Sequence, residues 1–148
     1  MKHYKITLNP SAIALFLIIM LPNFYWLAFP AAKDILRAPS VTESLDTVAS
    51  IFQIIMIAAL CLTANKTCEK FKYTPLIAAV TAIICLYYAM WVCYYFAIIN
   101  AYVILVLCTA PCIALLLFSI DRKNIFAIIS SSIFLCCHLA YGIINFIV

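Results

Sequence analysis

Charge is scarce in this chain, and glycine is scarcer still. Acidic and basic side chains make up 9% of its residues, and glycine occurs once in 148 positions. A soluble domain keeps roughly a quarter of its residues charged to cover its surface, so a water-soluble fold is excluded. A single glycine rules out a glycine-rich phosphate loop, and no nucleophile elbow is present. The five acids, Asp34, Glu43, Asp46, Glu69 and Asp121, fall in loops or near span ends, which removes paired intramembrane carboxylates and with them most hydrolytic chemistry. Of the two histidines only His138 lies inside an apolar segment, one short of the pair that holds an ordinary haem b. The eight cysteines form no CxxC motif. No cofactor is expected.

Apolar residues are what remains: 69% of the chain is hydrophobic and its mean hydropathy is +1.20. The few charges are bunched, leaving four uncharged runs: Ile6 to Ala32, Thr47 to Asn65, Tyr73 to Ile120, and Asn124 to Val148. Each is long enough to cross a bilayer. The third holds 48 residues. As one helix it would reach about 72 Å, against a hydrocarbon core of about 30 Å, so it must turn back on itself. The corner falls around Asn100, flanked by Tyr94, Tyr95 and Tyr102, which suit an interfacial aromatic belt.

The expected fold is therefore all-α, a polytopic integral membrane protein whose single domain, residues 1–148, is a bundle of about five transmembrane helices. The expected spans are Ser11 to Phe29, Val48 to Ala64, Pro75 to Ile98, Tyr102 to Ser119, and Ile125 to Ile147. The first is too long for a signal peptide and shows no small-x-small cleavage site around Phe29 to Ala32, so it is expected to be retained. Ser40 and Glu43 have the spacing of a capping box, which would start the second helix near Val41. Between the first two spans, Ala31 to Arg37 has room for an amphipathic turn. No repeat or low-complexity tract occurs.

The formal charge of +4 is spread over short loops rather than gathered in a patch, so no nucleic-acid partner is expected. With the amino terminus in the cytoplasm, Lys2, Lys5, Lys66, Lys70, Lys72, Arg122 and Lys123 share one side, which is seven of the nine basic residues. Lys33 and Arg37 face the other side, offset by Asp34, Glu43 and Asp46. The positive-inside rule then sets the expected localisation: the cytoplasmic membrane, N-terminus in and C-terminus out. The lipid bilayer is the expected partner, with a homo-oligomer or a larger membrane complex in addition.

Within the spans, polar residues mark the candidate chemistry. Pro22 leaves the carbonyl of Ile18 without its helical donor, and Asn23 adds an amide at similar depth. Hydrocarbon penalises both, so this face should turn into the bundle, as a kink or as a ligand site. Pro111, beside Thr109, repeats the device in the fourth span and frees the carbonyl of Leu107. Paired interrupted helices often frame a transporter's substrate site. In the fifth span, Ser131, His138, Tyr141 or Gly142, and Asn145 recur at helical spacing as a polar stripe. His138 falls near mid-depth, where an ionisable group either binds and moves protons or ties helices together by a hydrogen bond. In the third span Tyr87, Trp91 and Tyr94 share a face, as core packing or as an aromatic wall for a cation. Cys61, Cys85, Cys93, Cys108, Cys112, Cys136 and Cys137 read as small hydrophobes. His3, beside Lys2 and Lys5, reads as solvated.

The stretch Ile18 to Phe24, IIMLPNF, is followed by an aromatic-rich third span and a closing pair of spans carrying Ala110-Pro111 and Leu116-Leu117-Phe118-Ser119. In this layout the chain resembles an uncharacterised family of small Firmicutes-type bacterial membrane proteins with an MIPN-like first helix. The resemblance extends over most of the chain. Its one specific element is the proline-asparagine motif, in which leucine here takes the second position. It implies a small helical membrane protein and carries no activity with it.

Counting helical rise along alternately directed spans brings Asn23, Gln53, Thr109, His138 and Tyr141 to a common depth between the bilayer centre and the outer half. They are the expected ligand-binding residues, with no catalytic or metal-ligating set. The leading expectation is a protein, more binder than enzyme, that binds or passes a small solute there. The alternatives are an accessory subunit of a larger membrane complex and a thiol-based membrane oxidoreductase.

Overall fold

The computed structural model describes residues 4–68 and 71–147. Lys2, His3, Glu69, Lys70 and Val148, which enter the sequence reading, lie outside the described residues. Five helices account for most of the chain: α1 (Pro10–Ala28), α2 (Glu43–Leu62), α3 (Pro75–Tyr95), α4 (Ala101–Asp121) and α5 (Ile125–Phe146). All five are long and apolar enough to cross a membrane.

Helix starts follow short polar caps. Asn9, Thr74, Asn100 and Asn124 each accept a hydrogen bond from the backbone amide three residues on, and Pro10 and Pro75 occupy the first helical positions of α1 and α3. Helix ends have to manage without glycine. After α3, Ala97 adopts a left-handed φ of 58°, and after α4, Lys123 adopts φ 50°. In both, two amides bond back across the turn: Ile98 to Cys93 and Ala97 to Tyr94 after α3, Asn124 to Ser119 and Lys123 to Ile120 after α4. These are Schellman turns built on residues that resist the conformation. The chain then re-enters a helix within a few residues, so α3, α4 and α5 form a tight antiparallel series.

Helix ends shift by up to two residues elsewhere, as α2 ends at Leu62 rather than Ala64 and α4 at Asp121 rather than Ser119, and three departures from the sequence expectation matter more. The second helix starts at Glu43 rather than near Val41 or Val48, with Thr42 before it. Ser40 does not cap it. Its hydroxyl accepts the Thr42 amide and pairs with the Thr42 hydroxyl, which in turn reaches Asp46 at 3.2 Å. Glu43 and Asp46 therefore occupy the first turn, where the free amides of a helix start favour negative charge. The third helix stops at Tyr95, three residues short of expectation, because the left-handed turn at Ala97 forms before the apolar run ends. The amphipathic segment between the first two helices is reduced to a single turn of 3-10 helix, Ile35–Arg37.

A two-stranded ribbon was not anticipated. Strand β1 (Tyr4–Ile6) pairs antiparallel with β2 (Thr63–Asn65), Lys5 opposite Ala64, and the ladder continues through bonds from the Thr7 and Asn9 amides to Leu62 and Cys61. This ties the entry of α1 to the exit of α2. Asn124 completes that end: buried, it donates to the carbonyl of Ala59 at 2.9 Å and to the Thr63 hydroxyl at 3.0 Å while capping α5.

Helix α4 runs through the middle. Ten of its residues are buried, against three in α1, and it packs on both α3 and α5, while α2 packs on α5. The one glycine, Gly142, sits where α5 meets α4: a Cβ placed there would come within 3.2 Å of Cys108 Sγ. Many large apolar side chains on the other helices point outward, including Leu21, Ile54, Val92 and Ile129.

Candidate functional site

Tyrosine hydroxyls of α3 bond α1 to the bundle. Tyr88 donates to the carbonyl of Ile18 at 2.6 Å, supplying the partner that Pro22 removes. One turn along α1, the Asn23 amide donates to the Tyr87 hydroxyl at 2.8 Å and to the Ile19 carbonyl at 3.2 Å. Tyr95 donates to the carbonyl of Phe29 at 2.6 Å. Tyr94 is not part of an outward aromatic belt. It is fully buried and donates to Asp34, which also accepts the indole N–H of Trp26 and pairs with Arg37 at 3.0 Å.

Below that cluster lies a partly open cavity of about 310 Å³. All five helices contribute to its wall. Asn23 and Trp26 come from α1 and Trp91 from α3. Helix α2 gives Asp46, Ser50 and Gln53, one turn apart on one face, and Phe134, His138 and Tyr141 of α5 stand opposite. Leu107 and Cys108 of α4 close the back. The cavity occupies the half of the bundle that holds the α1–α2 connection, the α3–α4 turn and the end of α5.

The polar groups here are largely uncommitted. The side chains of Gln53 and His138 and the hydroxyl of Tyr141 make no hydrogen bond to the described residues. The imidazole of His138 is held by rings instead, 4.9 Å from Phe134 and 5.8 Å from Tyr141 between centroids. Trp91 packs edge-on to Tyr87, and its buried indole N–H has no hydrogen bond of good geometry. A buried polar group left unpaired costs on the order of 1–3 kcal/mol, so this wall offers donors and acceptors that water or a solute would satisfy. The volume corresponds to about ten waters of liquid.

Of the five residues expected from the sequence, Asn23, Gln53, His138 and Tyr141 line the cavity. Thr109 does not: its hydroxyl turns back to the carbonyl of Leu105 at 2.7 Å, the local bond that threonine makes when no partner faces it. Asn145, on the polar stripe of α5, ties down the α1–α2 connection through the Val41 amide and the Thr42 hydroxyl, and Ser131 is wholly buried. The sequence pattern did not single out Trp26, Asp46 or Ser50, while Trp91, expected in core packing or in an aromatic wall, lines the cavity. A signal existed for two of them, since Asp46, Ser50 and Gln53 follow helical spacing once α2 is extended back to Glu43.

All eight cysteines are free, with Cys108 and Cys112 buried and the latter bonded to the Cys108 carbonyl at 3.3 Å. Among the described residues no three His, Cys, Asp or Glu side chains gather as metal ligands. Comparison with protein-family models, with curated proteins and with solved structures finds no match.

Proposed function

We propose that this chain resides in the cytoplasmic membrane, its five helices crossing the bilayer, and that it binds or passes a small solute through the cavity between them. The distribution of charge supports the placement. Among the described residues one end carries Lys5, Lys66, Lys72, Arg122 and Lys123 against Asp121, while the other carries Lys33 and Arg37 against Asp34, Glu43 and Asp46. The cationic end belongs in the cytoplasm and the cavity in the outer half.

One observation carries the solute reading: Gln53, His138 and Tyr141 line one roomy cavity, and their side chains make no hydrogen bond among the described residues. A bundle that needed these residues only for cohesion would pair them with one another, because hydrocarbon penalises every unpaired group. The volume is at the lower end of the range for small-molecule sites.

The experiment is a thermal-stability screen of purified protein in lipid nanodiscs against a panel of small polar metabolites and ions. Wild type is compared with the double variant Gln53→Leu, His138→Leu. A solute present at a hundred times its Kd stabilises the protein that binds it by about 2.7 kcal/mol. The reading requires at least one panel member to stabilise wild type and leave the double variant unmoved. If no member separates the two proteins, the reading is rejected.

A further inference from the structure

Asp46 is the one residue of the cavity wall that carries a formal charge. Among the described residues Asp46 makes no ion pair, and its one hydrogen bond comes from the Thr42 hydroxyl at 3.2 Å. The nearby guanidinium of Arg37 is committed elsewhere, 3.0 Å from Asp34 and 4.9 Å above the Trp26 ring. His138 and Tyr141 of α5 line the same cavity. A carboxylate exerts a far stronger pull on an opposite charge where the surroundings are apolar than it does in water.

Around this carboxylate the wall is aromatic: Trp26, Trp91, Phe134 and Tyr141, with the imidazole of His138 among them. Aromatic faces attract cations and tolerate alkyl groups, so rings and carboxylate together describe one kind of guest. An anion would meet the Asp46 carboxylate with no lysine or arginine in the wall to offset it, and a neutral solute would leave that charge unpaired. From this juxtaposition, and resting on the solute-binding reading above, we infer that the cavity takes a small organic cation of the alkylammonium class. Asp46 faces the charge, the rings surround the alkyl groups, and Gln53 and Tyr141 meet any hydroxyl the solute carries.

The test uses three probes of nearly one shape: choline, its uncharged isostere 3,3-dimethylbutan-1-ol, and the anion 3,3-dimethylbutanoate. Both tryptophans of the chain line the cavity, so intrinsic fluorescence of the full chain in nanodiscs reports on occupancy. Choline should give a saturable change at a Kd at least tenfold below that of the alcohol, with no response to the anion. Asp46→Asn should abolish that preference and Asp46→Glu should retain it, the second variant controlling for the loss of a first-turn acid from α2. Equal affinity for choline and alcohol, or a choline preference that survives in Asp46→Asn, overturns the cation assignment while leaving a solute site in place. Silence from all three probes also overturns it. In that case the solute reading is judged by the panel of the previous section.

Discussion

The bond from Tyr88 to the Ile18 carbonyl offers a test of how α1 is held. Pro22 has no N–H, so the Ile18 carbonyl loses its partner within the helix, and in the membrane setting proposed above lipid would not replace it. Tyr88 supplies a donor at 2.6 Å from another helix. Tyr88→Phe deletes that donor and leaves the acceptor bare, at a cost of about 1–2 kcal/mol, since removing one partner exposes the other's desolvation penalty. Pro22→Ala gives residue 22 an amide that closes the ordinary helical bond to Ile18. In that background Tyr88→Phe should cost far less. The coupling between the two changes should be about 1 kcal/mol, within the range that such cycles give for interhelical bonds in membranes. Reversible unfolding in mixed detergent micelles, followed by circular dichroism for the wild type, both single variants and the double, measures all four corners. A Tyr88→Phe penalty of the same size in both backgrounds would refute the argument, because it would show that the hydroxyl is not serving the carbonyl that proline exposes.

Three further outcomes follow from local geometry. Ala97→Gly should stabilise the protein by about 0.5–1 kcal/mol, because glycine escapes most of the left-handed penalty at φ 58° and returns part of the gain as unfolded-state entropy; thermal unfolding reads the shift. Asn124→Ala should cost about 2–3 kcal/mol in the same assay by removing both the α5 cap and the donor to Ala59 and Thr63, and Asn124→Asp should not recover it, because a carboxylate oxygen would face the Ala59 carbonyl. Gly142→Leu should cost about 1–3 kcal/mol and weaken any solute binding, because a side chain there drives into Cys108, which forms the back of the cavity; nanodisc melting and the solute screen read the two effects.

Much of the architecture is legible in the sequence because water and hydrocarbon sort residues so sharply. Gaps between charges mark four apolar runs, the length of the third demands a fifth helix, and its charge-free corner at Asn100 is where α4 begins. Boundaries are less legible. Hydropathy cannot see that Glu43 and Asp46 extend α2 beyond its apolar part, since a charged first turn looks like loop until the helix is drawn through it. The ribbon of Tyr4–Ile6 with Thr63–Asn65 has three residues a side, too few to show a period of two.

The site divides along the same line. Depth counting groups Asn23, Gln53, His138 and Tyr141, because rise per residue is fixed and spans alternate in direction. It says nothing about azimuth, which is why Thr109, at a similar depth, turns to its own helix. Rotation about a helix axis is set by packing, here by the approach of α5 to α4 at Gly142 and by the hydroxyls that hold α1 against α3. Those contacts join residues far apart in the chain and have no local signature.

The most direct test of a polar cavity open to one side of the membrane is chemical access to Gln53. In a background with all eight cysteines replaced by alanine or serine, Gln53→Cys and Ile54→Cys would be treated on intact cells with a membrane-impermeant thiol reagent. Gln53 lines the cavity, whereas Ile54, one residue on, is 67% exposed on the outer surface of the bundle. With the placement proposed above, a thiol at 53 should react from outside the cell and one at 54, which would then face lipid, should not. Equal inertness of both positions, or reaction at 53 only in inside-out vesicles, would contradict the account.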